Sequence, residues 1–170
     1  MTQYQWDDRL LTGFEVVDSQ HKRLFSLLQG LGDSLASSET DVEPLQRAAD
    51  ALTHYAQEHF DDELELMQKQ RCDLRHVMMH VQEHGAFIRR VSLFQESLAE
   101  GNASGRAKAG ELVQFLVEWL KHHIRVVDQV MARQLRRIAD GASPSDAYTA
   151  EVAEHPDARA AHAFAEAPKD

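Results

Sequence analysis

Four stretches of the chain carry apolar residues at three- and four-residue spacing, and histidine or a carboxylate interrupts the apolar line of each. That spacing predicts amphipathic helices whose apolar faces pack inward. The interruptions constrain the fold further, because polar groups on core-facing lines must be buried together and compensate one another.

The first helix is expected from about Ser19 to Leu35, behind Asp18 as N-cap, with the line Val17, His21, Leu24, Leu28, Leu31, Leu35. The second is expected from Pro44, suited to a first helical turn, to about Lys69, with the line Leu45, Ala48, Leu52, Ala56, His59, Glu63, Leu66. The third runs from about Leu74 to Ala99, ahead of Gly101 and Asn102, with the line Val77, His80, Val81, His84, Phe87, Ile88, Val91. The fourth runs from about Gly105 to Asp140, ahead of Gly141, with the line Leu112, Leu116, Trp119, Leu120, His123, Val127, Val130 and Asp128 beside it. No stretch alternates as a strand does. Four long helices with short connections predict an all-α, up-down-up-down antiparallel four-helix bundle.

Residues 1–18 hold Trp6, Leu10, Leu11 and Phe14, which suits an N-terminal arm packed on the bundle. The bundle domain is placed at 1–141. Residues 142–170 are rich in Ala and Pro and poor in large apolar side chains, so they are expected to form a flexible or loosely docked acidic extension, with a short helix at 145–154 behind Ser143 and Pro144.

Composition removes several function classes. The 170 residues carry a formal net charge of −10, which gives no field to attract nucleic acid or anionic lipid. A single cysteine, Cys72, excludes an internal disulfide and a Cys-rich metal site. No apolar run is long enough to span a membrane and no secretory signal is visible, so membrane insertion is not expected and the cytoplasm is the expected compartment.

His21, His59, His80, His84 and His123, with Glu63 and Asp128, all fall on core-facing lines. Each unpaired buried polar group costs a few kcal/mol. Seven would consume a typical domain stability of ~5–15 kcal/mol. A dinuclear metal centre resolves the conflict, with neutral imidazoles as ligands and carboxylates as bridges. His59 with Glu63, and His80 with His84, stand four apart and so leave one helix face together. His123 and Asp128 stand five apart, roughly 140° around an ideal helix, so either Asp128 reaches sideways or the helix loosens toward π geometry. His54, His76, His122, His155 and His162 are expected at the solvated surface.

The order His21, His59-x-x-x-Glu63, His80-x-x-x-His84, His123-x-x-x-x-Asp128 resembles the hemerythrin family, specifically its single-domain bacterial type, the bacteriohemerythrins. Trp6, Thr12-Gly13, Asp18-Ser19-Gln20-His21, His59-Phe60, Leu66-Met67 and Trp119-Leu120 ahead of His123-Ile124 agree with it, over about residues 4–135. The sequence departs from many relatives at Arg71-Cys72-Asp73, where an aromatic–Pro turn is expected, and in the extension after Gly141.

The resemblance implies a non-haem di-iron centre, two iron ions cycling between Fe2+ and Fe3+ with an oxo or hydroxo bridge. It assigns His80, His84 and His123 to one iron, His21 and His59 to the other, and Glu63 and Asp128 as bridging carboxylates. It further implies reversible dioxygen binding at an open position, for oxygen storage, buffering or delivery to an oxygen-consuming enzyme. The expected dioxygen pocket is lined by Phe60, Trp119, Leu120 and Ile124. Five imidazoles against two carboxylates, with no Glu-x-x-His anywhere in the chain, favour a carrier over an oxygen-activating enzyme. No catalytic residue is expected, and the chain is expected to act as a monomer. Two alternatives stay open: a di-iron peroxidase or nitric-oxide-handling enzyme, and an oxygen or redox sensor. Imidazole and carboxylate ligands also suit zinc and manganese.

Overall fold

A computed structural model describes residues 6–37, 42–99 and 103–155, with the side chains of 103–106 set aside. The described residues are helical, without strands. A short 3-10 turn, Asp8–Leu10, precedes α1 (Glu15–Ala36), α2 (Glu43–Lys69), α3 (Leu74–Ala99) and α4 (Ala103–His123). A π-helical turn, Ile124–Asp128, joins α4 to α5 (Gln129–Ala139), and α6 (Pro144–Glu154) follows. No described helix is long and apolar enough to cross a membrane.

Helix α1 packs against α2 and α4, α2 against α3, and α3 against α4, so the four long helices enclose one core. Its interior is built from Leu24, Phe25, Leu28 and Leu31 of α1, Leu52 and Ala56 of α2, Phe87, Val91 and Phe94 of α3, and Leu116, Trp119 and Leu120 of α4. A smaller cluster of Met67, Cys72, Met131 and Leu135 closes the end where α5 covers the α2–α3 connection.

The start of α1 corrects the sequence expectation. The helix begins at Glu15, not Ser19, and Asp18 lies inside it. Its buried carboxylate instead accepts hydrogen bonds from Thr12 N–H (2.7 Å), Thr12 Oγ1 (2.8 Å) and Gly13 N–H (3.0 Å) of the preceding turn. Gly13 has φ +84°, a backbone conformation that favours glycine, and the Arg136 guanidinium lies beside it and donates to the Thr12 carbonyl.

The described part of the expected arm is held on the bundle at Trp6, Leu10 and Leu11. Trp6 meets Phe25 edge to face, Leu10 is buried, and Gln129 donates to the Leu11 carbonyl at 2.9 Å. Residues 1–5 lie outside the described residues.

The α2–α3 and α5–α6 connections stop a helix in one way. Cys72 N–H bonds back to Met67 O and Arg71 N–H to Gln68 O, with Arg71 at φ 57°. Ala142 N–H bonds to Arg137 O and Gly141 N–H to Ile138 O, with Gly141 at φ 101°. Each is a Schellman ending that satisfies the last carbonyls. Ser143 then caps α6, accepting from Asp146 N–H, and Pro144 takes its first turn.

Where a loosely docked extension is expected, α6 packs on α5 through Glu151, which is fully buried and bonded to Arg133 (2.6 Å) and Arg137 (2.8 Å). Tyr148 lies under Arg75 of α3, whose Nη2 also reaches Ser145. Residues 156–170, with His162, lie outside the described residues.

Candidate metal centre

Each long helix delivers its polar side chains to one level of the core. His21 comes from α1, His59 and Glu63 from successive turns of α2, His80 and His84 from successive turns of α3, and His123 from the end of α4. Asp128 reaches the same point because of the π turn, in which Gln129 N–H bonds to the Ile124 carbonyl five residues back. The extra residue rotates Asp128 onto the face of His123. The seven side chains singled out in the sequence are all brought together, and all are buried.

All five imidazoles present Nε2 to the centre. His80, His84 and His123 form one half: Nε2 of His84 lies 3.0 Å from Nε2 of His123, which lies 3.2 Å from Nε2 of His80. His21 and His59 form the other half. Glu63 belongs to both, with Oε2 3.3 Å from His80, 3.2 Å from His84 and 3.6 Å from His59, and Oε1 3.8 Å from His21. Asp128 divides its oxygens, Oδ1 toward His80 (3.2 Å) and His123 (3.1 Å), Oδ2 toward His21 (3.1 Å).

The crowding has no internal solution in hydrogen bonds. A proton between two of three converging nitrogens leaves the third facing a lone pair. Among the described residues, neither carboxylate accepts a well-aligned hydrogen bond, and both nitrogens of His21 and Nε2 of His59 lack one. Buried polar atoms in this state are costly unless a cation joins them. Five imidazole nitrogens in two groups that share Glu63, with the Asp128 oxygens facing both, fit a pair of metal ions.

The electrostatics agree. Burial raises the pKa values of both carboxyls, and the charge of Asp128 raises Glu63 further, yet the surrounding histidines prevail and hold both well below the usual range. Burial keeps His59 neutral, with its pKa lowered to about 4, and lowers His84 too, helped by the charge on His80. For His80 burial acts downward, but contacts with Asp128 and Glu63 prevail and raise it to about 9. A ring held between two carboxylates in this way is where a cation is wanted.

Behind the ligands, His59 Nδ1 meets the Gln20 amide oxygen at 3.0 Å, and the Gln20 nitrogen donates to Asp62 at 2.6 Å. The expected pocket residues are all buried. Phe60 stacks on His84 with ring centroids 3.7 Å apart, and Trp119 stacks on His123 at 4.4 Å. Leu120 and Ile124 belong to the same core cluster.

Two side chains were missed. His76, expected at the surface, is fully buried, and its Nε2 lies 3.3 Å from His80 Nδ1. Glu83, next to His84, is also buried. The inward face of α3 is centred on His76, His80, Glu83, Phe87 and Val91, whereas Val81, placed on the apolar line, is 44% exposed. The α5 cluster covers the start of α3, and only the buried pair spacing of His76 and His80 could have signalled it. His54 and His155 are exposed as expected, while His122 is half-buried rather than solvated.

Comparison with known proteins decides the family. The family model described as Hemerythrin HHE cation binding domain matches residues 12–135. The chain belongs to the hemerythrin family. Among hemerythrins it is 32% identical over 125 residues to a bacteriohemerythrin of Pseudomonas aeruginosa, covering 74% of this chain and 76% of that one. It is 32% identical over 136 residues to a bacteriohemerythrin of Stenotrophomonas maltophilia, covering 77% and 80%. It is 28% identical to a myohemerythrin of Theromyzon tessulatum over 125 residues, covering 74% and 88%. No solved structure gives a significant match. The hemerythrin match ends at residue 135, so α6 lies beyond it.

Proposed function

We propose that this hemerythrin binds dioxygen reversibly at a non-haem di-iron centre held by His21, His59, Glu63, His80, His84, His123 and Asp128. The observation that carries the reading is the convergence of five Nε2 atoms on two shared carboxylates, with both oxygens of Asp128 divided between the halves. In this reading His80, His84 and His123 hold one iron with three nitrogens. His21 and His59 would hold the other with two, and the oxygen ligand is proposed to bind on that side.

Two iron ions held there would supply the two electrons that dioxygen takes up and returns. The chain's own residues do the rest. Glu63 and Asp128, which face both groups of histidines, would help to hold the ions and offset their charge in a buried site. Gln20 orients the His59 ring through Nδ1. Phe60, Trp119, Leu120 and Ile124 exclude water from the ligand side, and the stacked Phe60 and Trp119 hold the His84 and His123 rings in place.

The same reading takes the four long helices as an up-down-up-down bundle. Its support is the opposite run of contacts: Asp50 meets Gln95 while Glu63 meets His80 on α2 and α3, and Phe87 meets Trp119 while His84 meets His123 on α3 and α4. Residues 1–141 form the oxygen-binding unit and 142–170 its extension. The protein acts as a cytoplasmic monomer that stores, buffers or delivers oxygen to an oxygen-consuming enzyme, without catalysis of its own.

The test is electronic absorption of the iron-loaded, reduced protein through repeated cycles of oxygen and argon. A band that appears with oxygen and vanishes under argon over several cycles is expected. One-way oxidation, or turnover of peroxide or nitric oxide beyond one equivalent per centre, would favour the enzyme alternative. A spectrum silent to oxygen would point to zinc.

A further inference from the structure

We propose that His76 is a positioning residue for His80, accepting a hydrogen bond from His80 Nδ1–H and so directing His80 Nε2 at the centre. The proposal rests on the metal-centre reading above and adds to it a residue outside the seven ligands.

His76 and His80 stand one turn apart on α3, and both are fully buried. His76 Nε2 lies 3.3 Å from His80 Nδ1, with the ring planes at 88° and centroids 5.3 Å apart. His76 therefore meets the back of the His80 ring and is not aimed at the carboxylates. On its other edge, His80 Nε2 lies within 3.3 Å of Glu63, Asp128 and His123. A neutral imidazole carries one proton. For Nε2 to offer its lone pair to a metal, that proton must sit on Nδ1, where His76 Nε2 is ready to receive it. His76 must then carry its own proton on Nδ1.

That arrangement is kept against a cost. His76 Nδ1 meets no acceptor among the described residues, so a buried donor stays unsatisfied. An apolar side chain of similar size would avoid that cost. The position thus gives up stability for a hydrogen-bond acceptor behind a ligand. Gln20 does the same for His59 with an amide oxygen, whereas His76 offers a more basic nitrogen. An outer acceptor of this kind fixes the tautomer and the ring orientation of the ligand and raises its basicity, and its loss weakens metal affinity by ~10–100-fold.

The experiment compares the parent with His76→Leu and His76→Gln as full chains. Three quantities are read: the His80 tautomer by long-range nitrogen–proton NMR of the zinc-loaded protein, zinc and iron affinity by chelator competition, and the reduction midpoint of the iron-loaded protein. The parent is expected to hold the His80 proton on Nδ1 in slow exchange with water. His76→Leu should lose that slow exchange, weaken metal binding by ~10–100-fold and shift the midpoint upward. His76→Gln, whose Oε1 can accept, should restore most of the affinity. A zinc-loaded parent with the His80 proton on Nε2 overturns the proposal even if His76→Leu does not fold. So does a folded His76→Leu with parental affinity and midpoint, or a His76→Gln as weak as His76→Leu, which would make the residue mere packing. A parent that takes up no metal overturns the metal-centre reading itself, and is told apart from these outcomes by the parent alone.

Discussion

Nε2 of His84 on α3 and Nε2 of His123 at the end of α4 lie 3.0 Å apart, inside a core sealed by Phe60 and Trp119. Two imidazole lone pairs held at that distance repel unless a proton or a metal ion stands between them. Metal removal is therefore expected to lower stability. For a metal present at a thousandfold excess over its dissociation constant, the loss is about 4 kcal/mol. His84→Ala should reduce iron per chain and remove most of the difference between loaded and metal-free protein in urea. An unchanged urea midpoint on chelation would contradict this.

The metal-free protein is expected to be most stable near pH 6.5. His59 and His76 have pKa values lowered by burial to about 4 and about 3. Their contribution is complete above the unfolded value of 6.5 and is lost as the pH falls toward those lowered values. His80 is raised to about 9, so its contribution is complete below 6.5 and is lost as the pH rises through 9. Each group changes stability by about 1.4 kcal/mol per pH unit inside its window. Urea midpoints at pH 5, 6.5 and 9 check this, and a monotonic trend would contradict it. Metal loading should abolish the alkaline limb, because a ligand ring has its nitrogen engaged whatever the pH.

Glu151 of α6, bonded to Arg133 and Arg137, is the main polar tie between α6 and the bundle. Both arginines keep partial access to water, so they remain solvated when the carboxylate is lost. Glu151→Ala is expected to cost about 1–3 kcal/mol, and truncation after Gly141 a similar amount. Neither should change iron content, since every proposed ligand precedes residue 129. Calorimetry with metal analysis on each variant is the check, and loss of iron would contradict it.

Legibility followed the range of the forces involved. The bounds of α3 could be read because Gly101 and Asn102 punctuate the chain locally, and the seven converging side chains because each breaks an apolar line of its own helix. Asp18 was misread because a carboxylate ahead of an apolar run has the local signature of an N-cap, while its true partners, Thr12 and Gly13, lie in a turn shaped by Arg136 from α5. His76 escapes the sequence reading because the α5 side chains packed at the start of α3 beside Val77 are remote in sequence, and nothing local marks Glu83 as buried. The choice between a reaching Asp128 and a π turn stayed open in the sequence, since spacing alone permits both; the structure has the turn.

Leu120 is buried one helical turn before His123, in the cluster that also holds Phe60 and Ile124. Leu120→Ala should cost about 2–5 kcal/mol through the cavity it leaves. Below its unfolding temperature it should load iron normally, lose the oxygenated band faster and admit azide sooner, because water and small anions reach the centre. A folded, loaded Leu120→Ala that oxidises no faster than the parent would reduce Leu120 to packing.

The proposed centre requires that one set of seven side chains hold two iron ions side by side. Iron analysis combined with iron X-ray absorption on the purified, reconstituted protein reads this directly. Two irons per chain, a mainly nitrogen and oxygen shell rich in imidazole, and an iron–iron vector of about 3–4 Å are expected. One iron per chain, or two without a short iron–iron vector, would contradict it.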